Sequence, residues 1–372
     1  MDLGNKSVWR TVFPYFNYIT SKDSSLEWRM FFALRTIQPV YYPILAIFAV
    51  PVNSLTLVVL SRRKCGLSKG ITCYLVAMTT ADLLVVFLDL ISRHIVIVFR
   101  NVFLFLSYMP ACNIHAILLY AATDCSVWFT VGFTFDRFVG ICCQKLQNKY
   151  CTERTAVSVV GTVIVFSCLK NIFWYFMMTG DYTFNNNPHF CEERDTVLGS
   201  REWATVQFLH YIITPFLPFV LVLLFNGLTV RYVLASSRAR KRFRRVCRGD
   251  SPTDPEVKSR RKSLILLLVI SGNFILFWAV LTAYFIWFRI YWAWFRHVDN
   301  AYPPFFVKEL GFMLQVLNYS TNSALYTGVQ TKFREQLEEV MKYPFILIIK
   351  FIQRRQHLRI KLSPFASKII CW

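Results

Sequence analysis

Charge is scarce in this chain. Of its 372 residues, 17% are Asp, Glu, Lys or Arg, while 55% are hydrophobic and 17% aromatic. A soluble domain carries about 25% charged residues, so the excess of apolar residues is too large for one soluble core. Acids are scarcer still, 21 against 42 Lys and Arg, for a formal charge of +21. The chain also lacks a CxxC pair or any Cys/His zinc spacing, which argues against a structural metal. No phosphate loop, metal set or nucleophile–base pair stands where water could reach it, so an enzyme is not expected and no cofactor is called for. No internal repeat appears either.

What is there is a series of long apolar runs. A charge of +21 in a soluble chain would point to nucleic acid. Here the basic residues cluster beside the apolar runs, so they read as cytosolic anchors of a multi-pass membrane protein, and no nucleic-acid partner is expected. Most of the 11 cysteines, among them Cys73, Cys125, Cys142, Cys143 and Cys168, fall in or at the ends of those runs and read as small buried hydrophobes.

The longest landmark is Ala111–Cys143, which starts beside Cys112 and ends on Asp136-Arg137-Phe138. From Cys112 to Arg137 a helix would rise roughly 37 Å, enough to cross a hydrocarbon core of ~30 Å. Around it the chain divides into seven expected spans: Val40–Leu60, Ile71–Val98, Ala111–Cys143, Ala156–Met178, Thr205–Leu234, Ser263–Phe288 and Phe306–Val329. The second carries Asp82 at mid-span, and the fourth an unexpected Lys170.

Residues 1–39 precede the bundle, 40–329 form it and 330–372 follow it. The fifth–sixth connection, Ala235–Lys262, has eleven Lys/Arg against three acids, whereas the fourth–fifth, Thr179–Ala204, has two against five. That bias puts the odd-numbered connections in the cytosol, the N-terminus outside and the C-terminus inside. No cleavable leader is expected, because the first 35 residues hold several charges and no apolar core segment. Asn5-Lys6-Ser7 matches a glycosylation acceptor.

Beyond the last span, Phe333, Leu337 and Val340 share one helical face, as in a short amphipathic helix. The tail mixes apolar runs with Lys350, Arg354, Arg355, Arg359 and Lys361, which suits contact with the anionic lipids of an inner leaflet. An eighth span is the rival reading, but Lys350 interrupts it.

Taken together, these landmarks resemble the rhodopsin-like (class A) G-protein-coupled receptors. The resemblance rests on Cys112, Asp136-Arg137-Phe138, Asn53, the LVAMTTADLL run around Asp82, Pro218, Trp278, and Asn322-Ser323-Ala324-Leu325-Tyr326 followed by Phe333. It covers about residues 40–340. It implies an all-α membrane protein, a seven-transmembrane bundle with an amphipathic helix on the inner leaflet. It implies a plasma-membrane receptor passing ligand binding outside to a heterotrimeric G protein inside.

By the same resemblance Asp136, Arg137 and Tyr326 serve G-protein coupling, with Asp136 holding Arg137 at rest. Asn53, Asp82, Ser126, Trp278, Asn318 and Asn322 would line a sodium pocket. Alternatively, Asp82 is a buried, protonated carboxyl bridging helices through water. Cys112 and Cys191 are expected to form a disulfide, Cys191 being the only cysteine in an outer connection; two free thiols are the alternative. Cys371 is a weak candidate for acylation.

The ligand pocket is sought in the outer halves of the spans. The position of the amine receptors' aspartate is Leu119 and that of the opsin lysine is Val316, which disfavours monoamines and retinal. The residues that remain are Arg93, His94, His115, Tyr120, Asp124, His210, Tyr284, Phe312 and Gln315. A charge as deep as Arg93 needs a partner or an anionic ligand, so a ligand with a carboxylate and an apolar or aromatic body is expected. The stretches VYYPILAIFAVPVNSLTLVVLSR and NFILFWAV resemble the orphan-receptor branch numbered one hundred and thirty-nine. That branch implies aromatic amino acids or short peptides as ligands and calcium-mobilising G proteins.

Several positions depart from the family pattern. Val280 and Ser323 stand where prolines are usual, so spans six and seven should kink less. Asn226 replaces a common tyrosine. The inner end of span six (Lys258, Arg260, Arg261, Lys262) offers no acid to Arg137. These departures keep open a non-signalling receptor-like scaffold. A transporter or channel using Asp82, Asp124 and Lys170 as a charged path is the reading from a different class.

Overall fold

The computed structural model describes residues 25–95, 108–179, 200–246, 255–291 and 303–342, with short pieces at 183–184, 187–188 and 192–193. Among the described residues, six helices are long and apolar enough to cross a membrane, within Leu26–Ser61, Lys69–Arg93, Ala111–Cys142, Glu153–Met177, Thr205–Ala239 and Ser263–Ile290. These are spans one to six. Span seven, Phe305–Val329, has 25 residues, roughly 37 Å of helix, but its Asn, Ser and Thr residues lower its hydropathy. Those polar groups face inward: Asn318, Asn322 and Ser323 are all buried. Meanwhile Ile47, Phe48, Val165, Phe166, Leu169 and Leu276 point outward. A soluble protein would show the reverse, so the outer wall is built for lipid.

Helix starts follow the side chains available. Ser68, Thr152 and Ser200 cap spans two, four and five, their hydroxyls accepting from the backbone N–H of Ile71, Thr155 and Trp203. Such caps take up N–H donors that the first turn leaves unpaired. Span one begins at Leu26, fourteen residues before the expected Val40. Its extra turns are fastened to span seven: Arg35 Nη2 and Gln38 Nε2 donate to the Glu309 carboxylate at 3.2 and 2.7 Å. Span five extends to Val246 and span six starts at Pro255, both longer than expected.

Two irregularities position side chains used below. Span two changes from α-helix to π-helix at Val86–Ile95, where Asp89 and Arg93 lie. In span five, Thr214 leaves helical geometry (φ −148°, ψ 117°) within the π-turn Ile212–Phe216. Pro215 disfavours the α conformation in the residue before it. Spans six and seven, by contrast, run as single helices through Val280 and Ser323.

Span three is the axis. Its apolar window is 67% buried, against 17% for span four, and it packs on spans two, four, five and six. The inner core gathers Leu75, Met78, Phe133, Leu266, Tyr326 and Phe333. The outer core gathers Tyr42, Leu119, Phe274, Trp278, Met313 and Tyr319. After a break at Gln330, residues 331–342 form the expected short helix. Phe333 is buried edge-on to Tyr326 at 6.3 Å between ring centroids, and Leu337 and Val340 pack against the inner core.

The bundle is all-α apart from the fourth–fifth connection. There Met178–Thr179 pairs antiparallel with Glu192–Glu193, and Thr183–Phe184 with Asn187–Pro188. These two-residue ladders lie outside the spans and are too short to show a period of two in sequence.

Candidate functional site

Lipid tails are as apolar as leucine, so helices in a membrane are oriented by packing and by polar ties rather than by hydrophobic burial. The polar ties here form two groups, one in each half of the bundle.

The inner group centres on Asp82, which is fully buried. Ser126 Oγ donates to one carboxylate oxygen. Asn322 Nδ2 donates to the other at 2.9 Å. Asn273 on span six donates in turn to Asn322 Oδ1 at 2.8 Å and to Asn318 Oδ1 at 3.1 Å. Asp82, Ser126, Asn318 and Asn322 are therefore brought together in one hydrogen-bonded network through Asn273. Trp278 lies beside them, its indole edge-on to Tyr319 at 6.3 Å.

Asn53 is a neighbour rather than a partner of the carboxylate. Its amide donates to the Ala49 and Tyr319 carbonyls at 2.9 and 3.2 Å, and its oxygen accepts from Ser323 Oγ at 2.5 Å. The serine that replaces a proline thus ties span seven to span one.

Below this network, Arg137 directs Nε (3.0 Å) and Nη2 onto one Asp136 oxygen. Its Nη1 reaches Ser263 Oγ on span six at 3.3 Å. The span-six partner of Arg137 among the described residues is thus a neutral hydroxyl, Ser263. Asp136 is further fixed from the second inner connection, where Cys151 Sγ donates to its carbonyl at 3.3 Å. Burial and the Asp136 charge push the Cys151 thiol up to about 11, so it stays protonated and able to donate. Tyr326 is buried against Phe333.

The outer group is ionic and aromatic. Lys170, unexplained in the sequence, is paired with Asp124 at 2.7 Å. Asn171 Nδ2 donates to the same Asp124 oxygen at 2.5 Å, and Lys170 donates to Thr214 Oγ1 at 3.3 Å. The unwound turn before Pro215 is what presents Thr214. Asp124 is therefore committed to a tie among spans three, four and five, rather than standing open to a ligand as the sequence suggested.

Arg93 likewise has a protein partner, Asp89, one turn away at 3.2 Å. Its guanidinium lies 5.8 Å from the Phe312 ring, and Lys308 lies 6.0 Å from the same ring. Tyr120 stacks on Trp174 at 3.9 Å, and His210 meets Tyr120 and Trp174 edge-on at 5.6 and 5.4 Å.

His115 is buried on span three and bonded to the Leu88 backbone. Tyr284 stacks on Phe288, and Gln315 donates to the Tyr319 hydroxyl at 3.0 Å. Of the expected ligand residues, the structure thus joins Tyr120 with His210 and Arg93 with Phe312, but does not gather the full set. The charges suggested as a transport path are individually engaged: Lys170 with Asp124, and Asp82 with Ser126 and Asn322.

Several expectations fall outside the described residues. Cys112 is disulfide-bonded, but Cys191, its expected partner, is outside them, as are Asn5, Cys371 and the basic tail. The side chain of His94 is outside them too.

Sequence reasoning passed over Asn273, Thr321, Asn171 and the Arg35–Gln38–Glu309 tie. Asn273 could have been found as the one amide in an apolar stretch, GNFILFW. Among the described residues, open spaces on the outer wall of the bundle include the following. One of 720 Å³ is lined by Leu84, Leu118, Cys125, Val160 and Ile164 of spans two, three and four. A smaller one of 220 Å³ is lined by Tyr211, Pro215, Thr282, Phe285 and Arg289 of spans five and six. The first contains no residue expected to bind ligand; the second is lined by Tyr211, next to His210 and itself a candidate from the sequence.

This arrangement agrees with what the chain is similar to. The profile of the 7 transmembrane receptor (rhodopsin family) matches residues 52–326. A Mus musculus protein named "Probable G-protein coupled receptor 142" is 25% identical over 316 residues, spanning 82% of this chain and 73% of that protein. The match runs from the inner half of span one to Tyr326, and includes Asp82, Asp136-Arg137 and the Asn322–Tyr326 run. The chain belongs to the rhodopsin family of seven-transmembrane receptors: it is a G-protein-coupled receptor, not an enzyme.

Proposed function

We propose that this receptor stands in the plasma membrane with its N-terminus outside, and that it couples to a heterotrimeric G protein through Arg137. The observation that carries the reading is the position of that side chain. Arg137 is held by Asp136 on its own span and by Ser263 on span six. A guanidinium can exchange one oxygen acceptor for another with little loss. The Ser263 bond is long and neutral, so an outward swing of span six gives up little there and uncovers Arg137. An agonist acts by binding better to that displaced conformer.

The activating ligand is a small molecule or short peptide with a carboxylate and an apolar or aromatic body. Support comes from Arg93 and Lys308, which bracket the Phe312 ring. The Tyr120–Trp174–His210 cluster offers further aromatic contact, with Tyr120 in electrostatic reach of Arg93. Arg93 is already neutralised by Asp89, so a ligand carboxylate would compete with Asp89 rather than fill a vacancy. The likeness to the branch numbered one hundred and thirty-nine suggests aromatic amino acids or short peptides, and calcium-mobilising G proteins.

The carboxylate and hydroxyl around Asp82 suit a sodium ion. A Cys112–Cys191 bridge would pin the acidic outer connection across the bundle mouth. The 331–342 helix is read as lying on the inner leaflet, with membrane lipids beneath it.

The test is a G-protein dissociation panel in cells expressing the receptor, challenged with aromatic amino acids and short peptides. A response to one of them that weakens at least tenfold in Arg93→Ala supports the ligand class. A response unaffected by Arg93→Ala counts against it.

A further inference from the structure

Asn273 is out of character with its surroundings. It interrupts the apolar face of span six one residue before Phe274 and five before Trp278, both of which are buried. A single amide on a membrane helix costs free energy unless its donors and acceptor are met. Asn273 meets them all on span seven. Its Nδ2 reaches Asn322 Oδ1 at 2.8 Å, Asn318 Oδ1 at 3.1 Å and Thr321 Oγ1 at 3.3 Å, and its own oxygen accepts from Thr321 at 3.4 Å. Asn322 then passes its second group to Asp82 at 2.9 Å. Two amide steps thus join span six to the buried carboxylate on span two.

We propose that Asn273 is the residue through which the state of Asp82 is passed to span six. Asn322 has one amide, with its oxygen held by Asn273 and its nitrogen spent on Asp82. Any change at Asp82 that turns or releases Asn322, such as protonation or a bound cation, also removes Asn273's best acceptor. Span six then loses its strongest polar tie to span seven at the level where the two helices must separate. Ser323 reinforces the selectivity of this route. With Ser323 bonded to Asn53, the adjoining turn of span seven is fixed to span one, so the change is directed outward through Asn322. The inference rests on the reading that displacement of span six is the active state.

The experiment measures that displacement without ligand or G protein. Receptor in lipid nanodiscs carries spin labels on unnatural amino acids at Lys149 and Ile265, which are exposed; this chemistry avoids the 11 native cysteines. Asn273→Leu is expected to raise the span-six-displaced fraction about five- to tenfold, and Asn322→Ala to raise it similarly. The double variant is expected to match the larger single effect, because both cut one relay. Asn273→Ala removes the amide altogether, so it is expected to behave as the leucine variant; it carries the test should leucine prevent folding. Displacement in Asn322→Ala but not in either Asn273 variant overturns the proposal while the active-state reading stands. Full additivity of the two substitutions also overturns it. No displacement in any variant overturns both.

Discussion

The outer and inner halves of this bundle are held by different chemistry. Outside, charges meet charges: Lys170 with Asp124, Arg93 with Asp89, Arg35 with Glu309. Inside, apart from the buried Asp136–Arg137 pair and the exposed bridges from Arg63 and Lys69 to Glu153, neutral amides and hydroxyls do the joining among the described residues, around one carboxylate. Breaking a buried ion pair strands a charge, whereas a neutral hydrogen bond is worth only about 0.5–1.5 kcal/mol net and is readily exchanged. The difference suits a receptor whose outer frame keeps its shape while its inner end repacks.

The sharpest way to break this contrast is to remove one side of the buried outer pair. Asp124→Ala leaves Lys170 uncompensated and is expected to cost about 3–5 kcal/mol, read as a lower unfolding midpoint of the purified receptor. The double variant Asp124→Leu/Lys170→Met is expected to recover most of that loss, since paired apolar groups need no partner. A tolerated single variant would mean that the pair does not hold the frame.

Inside, Asn322→Ala leaves one Asp82 oxygen unsatisfied, at about 1–3 kcal/mol. It should shift conformation more than stability. Ser323→Pro restores the usual family residue and removes the bond to Asn53, with an expected loss of about 1 kcal/mol in the same unfolding measurement. The smallest effect belongs to Arg35→Ala. Arg35 is 38% exposed, and such pairs are worth about 1 kcal/mol or less and fade with added salt. A loss larger than that of Asn322→Ala would undo the ranking.

The inner half was the more legible in sequence. Asp82 and Arg137 stand out because an ionisable residue in an apolar run is an anomaly that asks for a reason. The partners of Asp82, namely Ser126 and Asn322, came with the family resemblance, not from spacing. The outer half was noticed without being solved. Lys170 was plainly odd, but its partner Asp124 lies 46 positions earlier on another span, and the pairing depends on the register of three helices.

The turn that delivers Thr214 depends on Pro215, which reads simply as one more proline in a membrane helix. Span one's early start at Leu26 was hidden because its outer turns mix Glu27, Arg29 and Arg35 with aromatics. The contact with Glu309 that fastens that extension is invisible in a one-dimensional pattern. Span seven was among the least clean spans for the opposite reason, since the polar residues that weaken its apolar signal are the ones turned toward Asp82.

The central claim is that the inner end of span three, and Arg137 above all, passes the signal, while the outer pairs only hold the frame. It is tested most directly by nucleotide exchange on a G-protein panel, comparing the wild-type receptor with Arg137→Ala at matched surface expression. The account predicts exchange above background for the wild type and none for the variant. Undiminished exchange by Arg137→Ala would contradict it.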